Sequence, residues 1–169
     1  MIKRSIVIFP QLGDGISLIQ AIRDRYDPLA QKIAPHITLV FPFESEISSG
    51  ELARHLQVAL CGIEPFEITL KDISLEAENY LFLNVIQGQK EIIQIHDLLY
   101  SGLLNKFLSQ KHTYKPHLTV GRLKDSSEAK IAITRLKDFV YQFKTKINKI
   151  TTEIILDDLS STTDFELEL

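Results

Sequence analysis

The sequence predicts an α+β fold with two similar lobes. Segments with the apolar spacing of strands and of helices alternate along all 169 residues, and no Pro- or Gly-rich linker divides them into independent domains. A five-residue pattern also recurs 81 residues apart, each time after a predicted helix and at the start of a predicted strand. We therefore predict a single domain over residues 1–169, with one copy of the pattern in each lobe.

Chain breakers and apolar patterns set the predicted elements in order. Seven segments have the β-branched, aromatic or alternating composition of strands: 5–9, 36–41, 66–70, 80–86, 117–122, 146–156 and 164–169. Four segments between them have apolar residues at helical spacing: 16–26, 49–60, 91–108 and 127–140. Pro10 ends the first strand and Asp27-Pro28 ends the first helix, whereas Ser48 or Ser49 caps the second helix.

The composition is that of an ordinary globular protein. Apolar residues make up 44% and charged residues 24% of the chain, which excludes a disordered protein. The single cysteine, Cys61, excludes an intramolecular disulfide and every multi-cysteine zinc site, and its surroundings predict a buried side chain. The longest uncharged run, 33–43, is too short for a membrane helix, so we expect a cytoplasmic protein with no membrane partner.

The charge is unevenly distributed along the chain. A net charge of −3 argues against a protein that coats long duplex nucleic acid. Residues 105–150, however, carry 11 Lys and Arg against 3 Asp and Glu. This segment is compatible with a phosphate group or a short RNA end as ligand.

The recurring pattern is Pro-His-aliphatic-Thr-aliphatic, found at 35–39 and 116–120. Its recurrence by chance is improbable in a chain with five histidines and six prolines. Because alternate side chains of a strand share a face, His36 projects with Thr38, and His117 projects with Thr119. Each copy thus presents an imidazole and a hydroxyl together.

Two imidazoles and two hydroxyls that converge on one ligand suit in-line phosphoryl transfer. One neutral imidazole would take a proton from water, and the other, as imidazolium, would protonate the leaving sugar oxygen. The pKa of a free imidazole, about 6.5, makes both forms accessible near neutral pH. The threonine hydroxyls would donate to phosphate oxygens. This scheme requires no metal ion.

Other interpretations of the motifs stay open at this point. A His-x-Thr sequence on a strand is often a half-buried histidine bonded to a neighbour. Two histidines also suit zinc, although a third ligand has no local signature. A dinucleotide fingerprint at 13–18 fails, because Leu18 stands where the third glycine belongs.

The motif segments resemble the 2H phosphoesterases, which include the RNA 2′,3′-cyclic phosphodiesterases also called 2′-5′ RNA ligases. Segment 114–122, Tyr-Lys-Pro-His-Leu-Thr-Val-Gly-Arg, is similar to the family's aromatic-x-Pro-His-x-Thr-aliphatic-small-Arg strand. Segment 35–43, Pro-His-Ile-Thr-Leu-Val-Phe-Pro-Phe, is similar to its partner. Outside these segments the likeness is one of element order.

The resemblance implies a bilobal 2H phosphoesterase-like fold. Its interleaved lobes would be related by a pseudo-twofold axis, with antiparallel sheet and flanking helices around a central groove. The activity implied is hydrolysis of a 2′,3′-cyclic phosphate to a 2′-phosphate, with no cofactor and no metal. By position, His117 would be the base and His36 the acid, an order that the sequence leaves open, and Thr38 and Thr119 would hold phosphate oxygens.

Four further residues are predicted to contact the substrate: Arg122, Tyr114, Lys115 and Phe43. Arg122 matches the family's arginine and would bind phosphate, although strand alternation from His117 aims it at the opposite face. Lys115 and His112 would approach the phosphate from one loop. The aromatic rings of Tyr114, Phe43 and Phe41 would stack on a base or wall the groove, and a place in the core is the alternative for each.

The functional prediction is therefore a metal-independent cyclic phosphodiesterase of RNA processing. Its substrate would be an RNA end or a small cyclic nucleotide, and we expect a monomer. A protein that binds the nucleotide or RNA end without turnover is the alternative from another class. A cyclic phosphate of the ADP-ribose type is an alternative substrate, and reversible 2′-5′ RNA ligase activity is left open.

Overall fold

The computed structural model of the chain describes residues 1–109 and 113–169. The strands in these residues are β1 (Ile2–Ile8), β2 (Ile37–Ser45), β3 (Phe66–Leu75), β4 (Tyr80–Gln87), β5 (His117–Arg122), β6 (Gln142–Ile147), β7 (Lys149–Ile155) and β8 (Ser161–Glu168). The α-helices are α1 (Gly15–Tyr26), α2 (Ser49–Ala59), α3 (Gln89–Leu99) and α4 (Ser126–Arg135), with short 3-10 helices at Ala77–Asn79 and Gly102–Phe107. The predicted α+β class is confirmed.

All eight strands form one curled antiparallel sheet, in the order β6-β3-β4-β5-β2-β1-β7-β8. The central strands β2 and β5 share only the pair Ile37 and Leu118, so two four-stranded halves meet at this point. β6 and β7 belong to different halves, yet Asn148 alone separates them along the chain. The sheet must therefore curl to bring these two strands together.

The order of elements repeats within the two halves. The unit β1-α1-β2-α2 has the same order as β4-α3-β5-α4, and the second strand of each unit carries one motif. Because β2 and β5 are neighbours at the centre of the sheet, both motifs reach one place. The division into two interleaved lobes over residues 1–169 stays a prediction, which this repeated order supports.

The core lies on the face of the central strands opposite the motif side chains. Ile37 and Leu118 are fully buried there, together with Ile19 of α1 and Ile92 and Ile95 of α3. Helix α2 begins with the predicted serine cap, because the Ser48 side chain accepts from the N–H of Glu51 and the Glu51 side chain accepts from Ser48 in return. Packed helices on one face leave the other face of β2 and β5 for a ligand.

Several predicted boundaries differ from the structure. The helix predicted over 91–108 ends at Leu99 and resumes as a 3-10 helix at Gly102, since Ser101 is extended and Gly102 has a positive φ of 50°. The helix predicted over 127–140 ends at Arg135. The strand predicted over 146–156 is split at Asn148 into β6 and β7.

Two further features bear on the predictions. Cys61 is exposed, so the prediction of a buried thiol is wrong. The residue follows the end of α2, where the chain turns at the surface. None of the helices within 1–109 and 113–169 is long and apolar enough to cross a membrane.

Candidate active site

The two motifs lie side by side on the central strands. The antiparallel pair of Ile37 and Leu118 sets a register in which Thr38 is opposite His117 and His36 is opposite Thr119. Directly opposed residues share a face, so all four side chains project away from the buried pair. All four are half-buried. The fold thus brings together two imidazoles and two hydroxyls that are 81 residues apart in sequence.

A β-bulge follows the threonine of each motif. On β5, Thr119 pairs with Phe82 but Gly121 pairs with Leu81, which leaves Val120 as an extra residue. On β2, Leu39 is extra in the same way, between the pairs of Thr38 and Val40 with β1. Two consecutive residues are buried after each threonine, and the next side chain returns to the motif face.

The bulges place Arg122 and Phe41 beside the motifs. Simple alternation aims Arg122 at the opposite face, and this prediction is wrong, because the bulge at Val120 shifts the alternation by one residue. Phe41 follows the first motif as Arg122 follows the second, and its side chain is 46% exposed. Since β2 and β5 are antiparallel, Phe41 and Arg122 lie at opposite ends of the four motif side chains.

Gly121 allows the second bulge to pack closely against β4. A Cβ at this position would lie 2.9 Å from Cδ1 and 3.1 Å from Cγ of Leu81. Leu81 is fully buried and has no room to withdraw. The small residue in the second motif is therefore required by packing rather than by its backbone angles.

Both histidines are held in the same tautomer. Nδ1 of His36 is 2.9 Å from the carbonyl oxygen of Ala34, and Nδ1 of His117 is 2.6 Å from that of Lys115. A carbonyl only accepts, so each Nδ1 carries a hydrogen and donates it. Each carbonyl precedes a proline, which keeps that residue extended and explains the prolines of the motifs. Nε2 is then the ring nitrogen left for a ligand.

The surroundings of both imidazoles favour the neutral form. Burial lowers the pKa of His117 to about 4, and the charge of Lys115 adds to this effect. Burial also lowers the pKa of His36, to which the charges of Arg122 and Arg23 contribute, while a backbone hydrogen bond and Glu153 oppose the shift. Both shifts favour the neutral imidazole at pH 7 in the free protein.

Aromatic rings supply part of this desolvation. The ring of Phe82 on β4 stacks on His117, with 3.4 Å between centroids and an interplanar angle of 11°. The ring of Phe9 meets His36 edge-on at 6.1 Å. Sequence reasoning missed both rings, because Phe82 lies on the strand next to one motif strand and Phe9 directly follows the strand next to the other, so both contacts depend on the register.

Two tyrosines hold the backbone of β2 at the site. The Tyr114 hydroxyl donates to the carbonyl of Thr38 at 2.7 Å, and its ring stacks on His96 with 3.8 Å between centroids. The Tyr100 hydroxyl accepts from the N–H of Phe41 at 3.0 Å. The hydroxyl and one ring face of Tyr114 are therefore occupied within the protein, which favours a positioning task over the predicted contact with substrate.

The remaining predicted residues have mixed outcomes. Phe43 is 5% exposed and packs against Phe107 at 4.9 Å, so it lies in the core and the prediction of a groove residue is wrong. A second register shift of β2 against β1 lies between Val40 and Phe43, and it turns the side chain of Phe43 toward the core. Lys115 pairs with Glu76 at 2.6 Å and is 46% exposed. His112 lies outside the described residues.

Arg122 is held by a buried carboxylate that the sequence did not single out. Its Nη1 donates to Oδ1 of Asp27, whose Oδ2 also accepts from Nε of Arg23 at 3.1 Å. In the sequence, Asp27 is visible only as the residue before Pro28 that ends a helix. Within 1–109 and 113–169, no three His, Cys, Asp or Glu side chains are arranged to hold a metal ion, so the zinc alternative finds no third ligand there.

Comparisons with known proteins identify the family of the chain. The model of the 2'-5' RNA ligase superfamily matches residues 10–157. A provisionally named phosphoesterase of Bacillus licheniformis is 31% identical over 140 residues, which cover 80% of this chain and 79% of that protein. Another from Bacillus cereus is 31% identical over 149 residues, covering 83% of this chain and 82% of its own.

Solved structures share the fold at lower identity. The crystal structure of E. coli LigT complexed with 3'-AMP has a TM-score of 0.67 and 16% identity, and it covers 99% of this chain and 98% of LigT. The crystal structure of LigT complexed with phosphate has a TM-score of 0.63 and 18% identity, and the match covers 99% of this chain and 97% of LigT. The curled antiparallel sheet with flanking helices is thus the fold of the 2H phosphoesterases. The chain belongs to the 2'-5' RNA ligase superfamily.

Proposed function

We propose that this protein hydrolyses a 2′,3′-cyclic phosphate, on an RNA end or a small cyclic nucleotide, to a 2′-phosphate without a metal ion. One observation carries the proposal. The register of β2 and β5 sets two His-Thr pairs side by side, and each imidazole is fixed through Nδ1 with Nε2 left for a ligand. An acid and a base that flank one phosphorus atom are what in-line displacement requires.

The proposed reaction uses the two imidazoles in opposite protonation states. Nε2 of His117 takes a proton from water as its oxygen attacks phosphorus. The bond from phosphorus to the 3′ oxygen breaks, and Nε2–H of His36 protonates that oxygen. Thr38 and Thr119 donate hydrogen bonds to the phosphate oxygens on which negative charge builds. His117 then returns its proton to solvent, and His36 takes up a proton from solvent. These two transfers restore the starting state.

The order of roles is proposed from the positions of the two motifs, since each histidine has one carboxylate that raises its pKa, Glu76 for His117 and Glu153 for His36. Burial and the neighbouring charge of Lys115 lower the pKa of His117 to about 4, which suits a neutral base. Burial, with the charges of Arg122 and Arg23, lowers the pKa of His36, and the carboxylate of Glu153 opposes this effect. An anionic phosphate bound beside Nε2 of His36 would favour the imidazolium that donates the proton.

The two ends of the site suit different parts of a nucleotide. Arg122 can offer a guanidinium to phosphate, and its side chain is 25% exposed. Phe41 offers an exposed ring at the opposite end, on the side of His117, where a base can stack. LigT, which shares the fold, has been crystallised with 3'-AMP, ATP and NADP+. We propose that a small nucleotide or RNA terminus binds here with its phosphate toward Arg122 and its base on Phe41.

The direct test is turnover in the presence of a chelator. Purified protein with excess EDTA is mixed with each nucleoside 2′,3′-cyclic phosphate and with ADP-ribose 1″,2″-cyclic phosphate, and the products are followed by phosphorus NMR. We expect a 2′-phosphate from a nucleoside substrate at an unchanged rate in EDTA. Tight binding by calorimetry with no product over hours would instead support the binding-protein alternative.

The pH dependence of kcat/KM follows from the two histidines. The base must be neutral and the acid charged, so kcat/KM is bell-shaped between the two apparent pKa values of the free protein. Because both pKa values are lowered from 6.5, we expect the maximum below pH 6.5 and a fall of about tenfold per unit on the alkaline limb. A profile that is flat from pH 6 to 9 would contradict this assignment.

Phe41→Ala tests the proposed stacking of the base. One base stacked on an aromatic ring contributes about 1 to 3 kcal/mol, so we expect KM to rise about tenfold with kcat within about twofold of wild type. Steady-state kinetics with a nucleoside 2′,3′-cyclic phosphate measure this. Phe41→Tyr keeps the ring and serves as the control with near-normal KM. An unchanged KM in Phe41→Ala would remove Phe41 from the site.

A further inference from the structure

The carboxylate of Asp27 joins two arginines at one end of the site. Its Oδ1 accepts from Nη1 of Arg122 and from the N–H of Leu29 at 3.0 Å. Its Oδ2 accepts from Nε of Arg23 at 3.1 Å and lies 3.1 Å from Nη2 of the same side chain. Asp27 is the residue that caps the end of α1, so the network links this helix to β5.

The network is buried on one side and open on the other. The Asp27 side chain is fully buried, that of Arg23 is 2% exposed, and that of Arg122 is 25% exposed. Nη1 of Arg23 is buried with no hydrogen-bond partner among the described residues. Burial of charged groups, one of them incompletely satisfied, costs free energy that apolar side chains would avoid. Arg122 is the most exposed of the three side chains and can reach a ligand.

The open end of the network faces the motifs. On β5 and β4, Arg122 pairs with Tyr80, and Thr119 pairs with Phe82. Because of the bulge at Val120, the side chains of Arg122 and Thr119 therefore lie on the same face of the sheet. The charges of Arg122 and Arg23 both add to the effect of burial on the pKa of His36. The guanidinium of Arg122 therefore lies within electrostatic reach of one proposed catalytic histidine while Asp27 holds it from behind.

We propose that Asp27, itself held by Arg23, is a positioning residue that aims the Arg122 guanidinium at the phosphate of the substrate. The inference rests on the proposed function. One nitrogen of Arg122 bonds to Asp27, and its other N–H groups are left for phosphate oxygens. Arg23 balances the carboxylate, so the three groups together keep a net positive charge toward an anionic ligand. Without Asp27, Arg122 would sample many rotamers and bind phosphate less tightly.

A double-mutant cycle tests whether Asp27 acts through Arg122. The variants are Asp27→Asn, Arg122→Met and the double variant, and the measurement is kcat/KM for a nucleoside 2′,3′-cyclic phosphate. We expect Asp27→Asn to lower kcat/KM about tenfold in the wild-type background and less than about twofold in the Arg122→Met background. Equal effects in both backgrounds, or no effect in either, would overturn the proposal.

A second buried ion pair supplies the matched control. Arg4 is fully buried and its Nε lies 2.7 Å from Asp164, and Asp164 also accepts from Ser49 on α2. Asp164→Asn removes a buried carboxylate of the same kind away from the motifs. We expect it to lower the melting temperature as Asp27→Asn does but to leave kcat/KM unchanged. An equal loss of kcat/KM in Asp164→Asn would reduce the effect at Asp27 to general destabilisation.

Failure of the role proposed for Asp27 can be distinguished from failure of the proposed activity. If the wild type turns over no cyclic phosphate, the same cycle is measured as the affinity for inorganic phosphate by calorimetry, where coupling supports the role of Asp27 and additive effects contradict it. If Asp27→Asn does not fold, Asp27→Glu keeps the charge but displaces Arg122 by one methylene. Its loss of kcat/KM is then expected to disappear in the Arg122→Met background, and persistence of the loss would overturn the proposal.

Discussion

His36→Ala and His117→Ala are each expected to lower kcat by about 10² to 10⁴ for a nucleoside 2′,3′-cyclic phosphate. Each substitution removes one of the two proton-transfer groups that the proposed reaction uses. Because the two groups act in one step, the double variant should be little worse than the poorer single variant. Single-turnover kinetics with saturating protein measure this without interference from product release.

His55 provides a control for these substitutions. Its Nε2 lies 2.8 Å from the carbonyl of Leu99, and it belongs to α2 rather than to a motif strand. His55→Ala should therefore keep kcat within about twofold of wild type. A double variant of His36 and His117 with wild-type kcat would refute the assignment of both catalytic roles.

Thr38→Val and Thr119→Val carry the second large expected effect. Valine keeps the shape of threonine but removes the hydroxyl that would donate to a phosphate oxygen. Removal of one such donor at a site of developing charge costs about 10² to 10³ in kcat, so we expect a loss of about 10² for each variant. Steady-state kinetics with the same substrate measure it.

Thr38→Ser and Thr119→Ser separate the hydroxyl from the packing of the strand. Serine keeps the donor, so each variant should retain at least about a tenth of wild-type kcat. The backbone carbonyl of Thr38, which accepts from Tyr114, is unchanged in both variants of that position. Equal losses in the Ser and Val variants would show that packing, and not the hydroxyl, matters there.

The pairing of the two motifs could be predicted from the sequence because it depends only on local rules and on their repeat. Strand alternation puts His36 with Thr38 and His117 with Thr119 on a common face, and the repeat of the pattern indicates that the two strands meet. The element order was predictable for a similar reason. Breaks within predicted elements, such as those at Gly102 and Asn148, were missed because apolar periodicity continues across them.

The surroundings of the site were not predictable, because they depend on register. A single extra residue on β5, Val120, turns Arg122 toward the motifs, and an extra residue on β2, Leu39, does the same for Phe41. Neither bulge has a mark in the sequence beyond the glycine at position 121. Asp27 was interpreted as a helix end, since its contact with Arg122 spans 95 residues and no local pattern contains it.

The most direct test of one shared phosphate site is a crystal structure with a bound nucleoside 2′-phosphate. We expect phosphate oxygens within about 3.2 Å of Nε2 of both His36 and His117, with Arg122 at one end of the ligand and the nucleobase on Phe41. A phosphate bound elsewhere, or two Nε2 atoms more than about 10 Å apart, which no single phosphate bridges by direct hydrogen bonds, would contradict it.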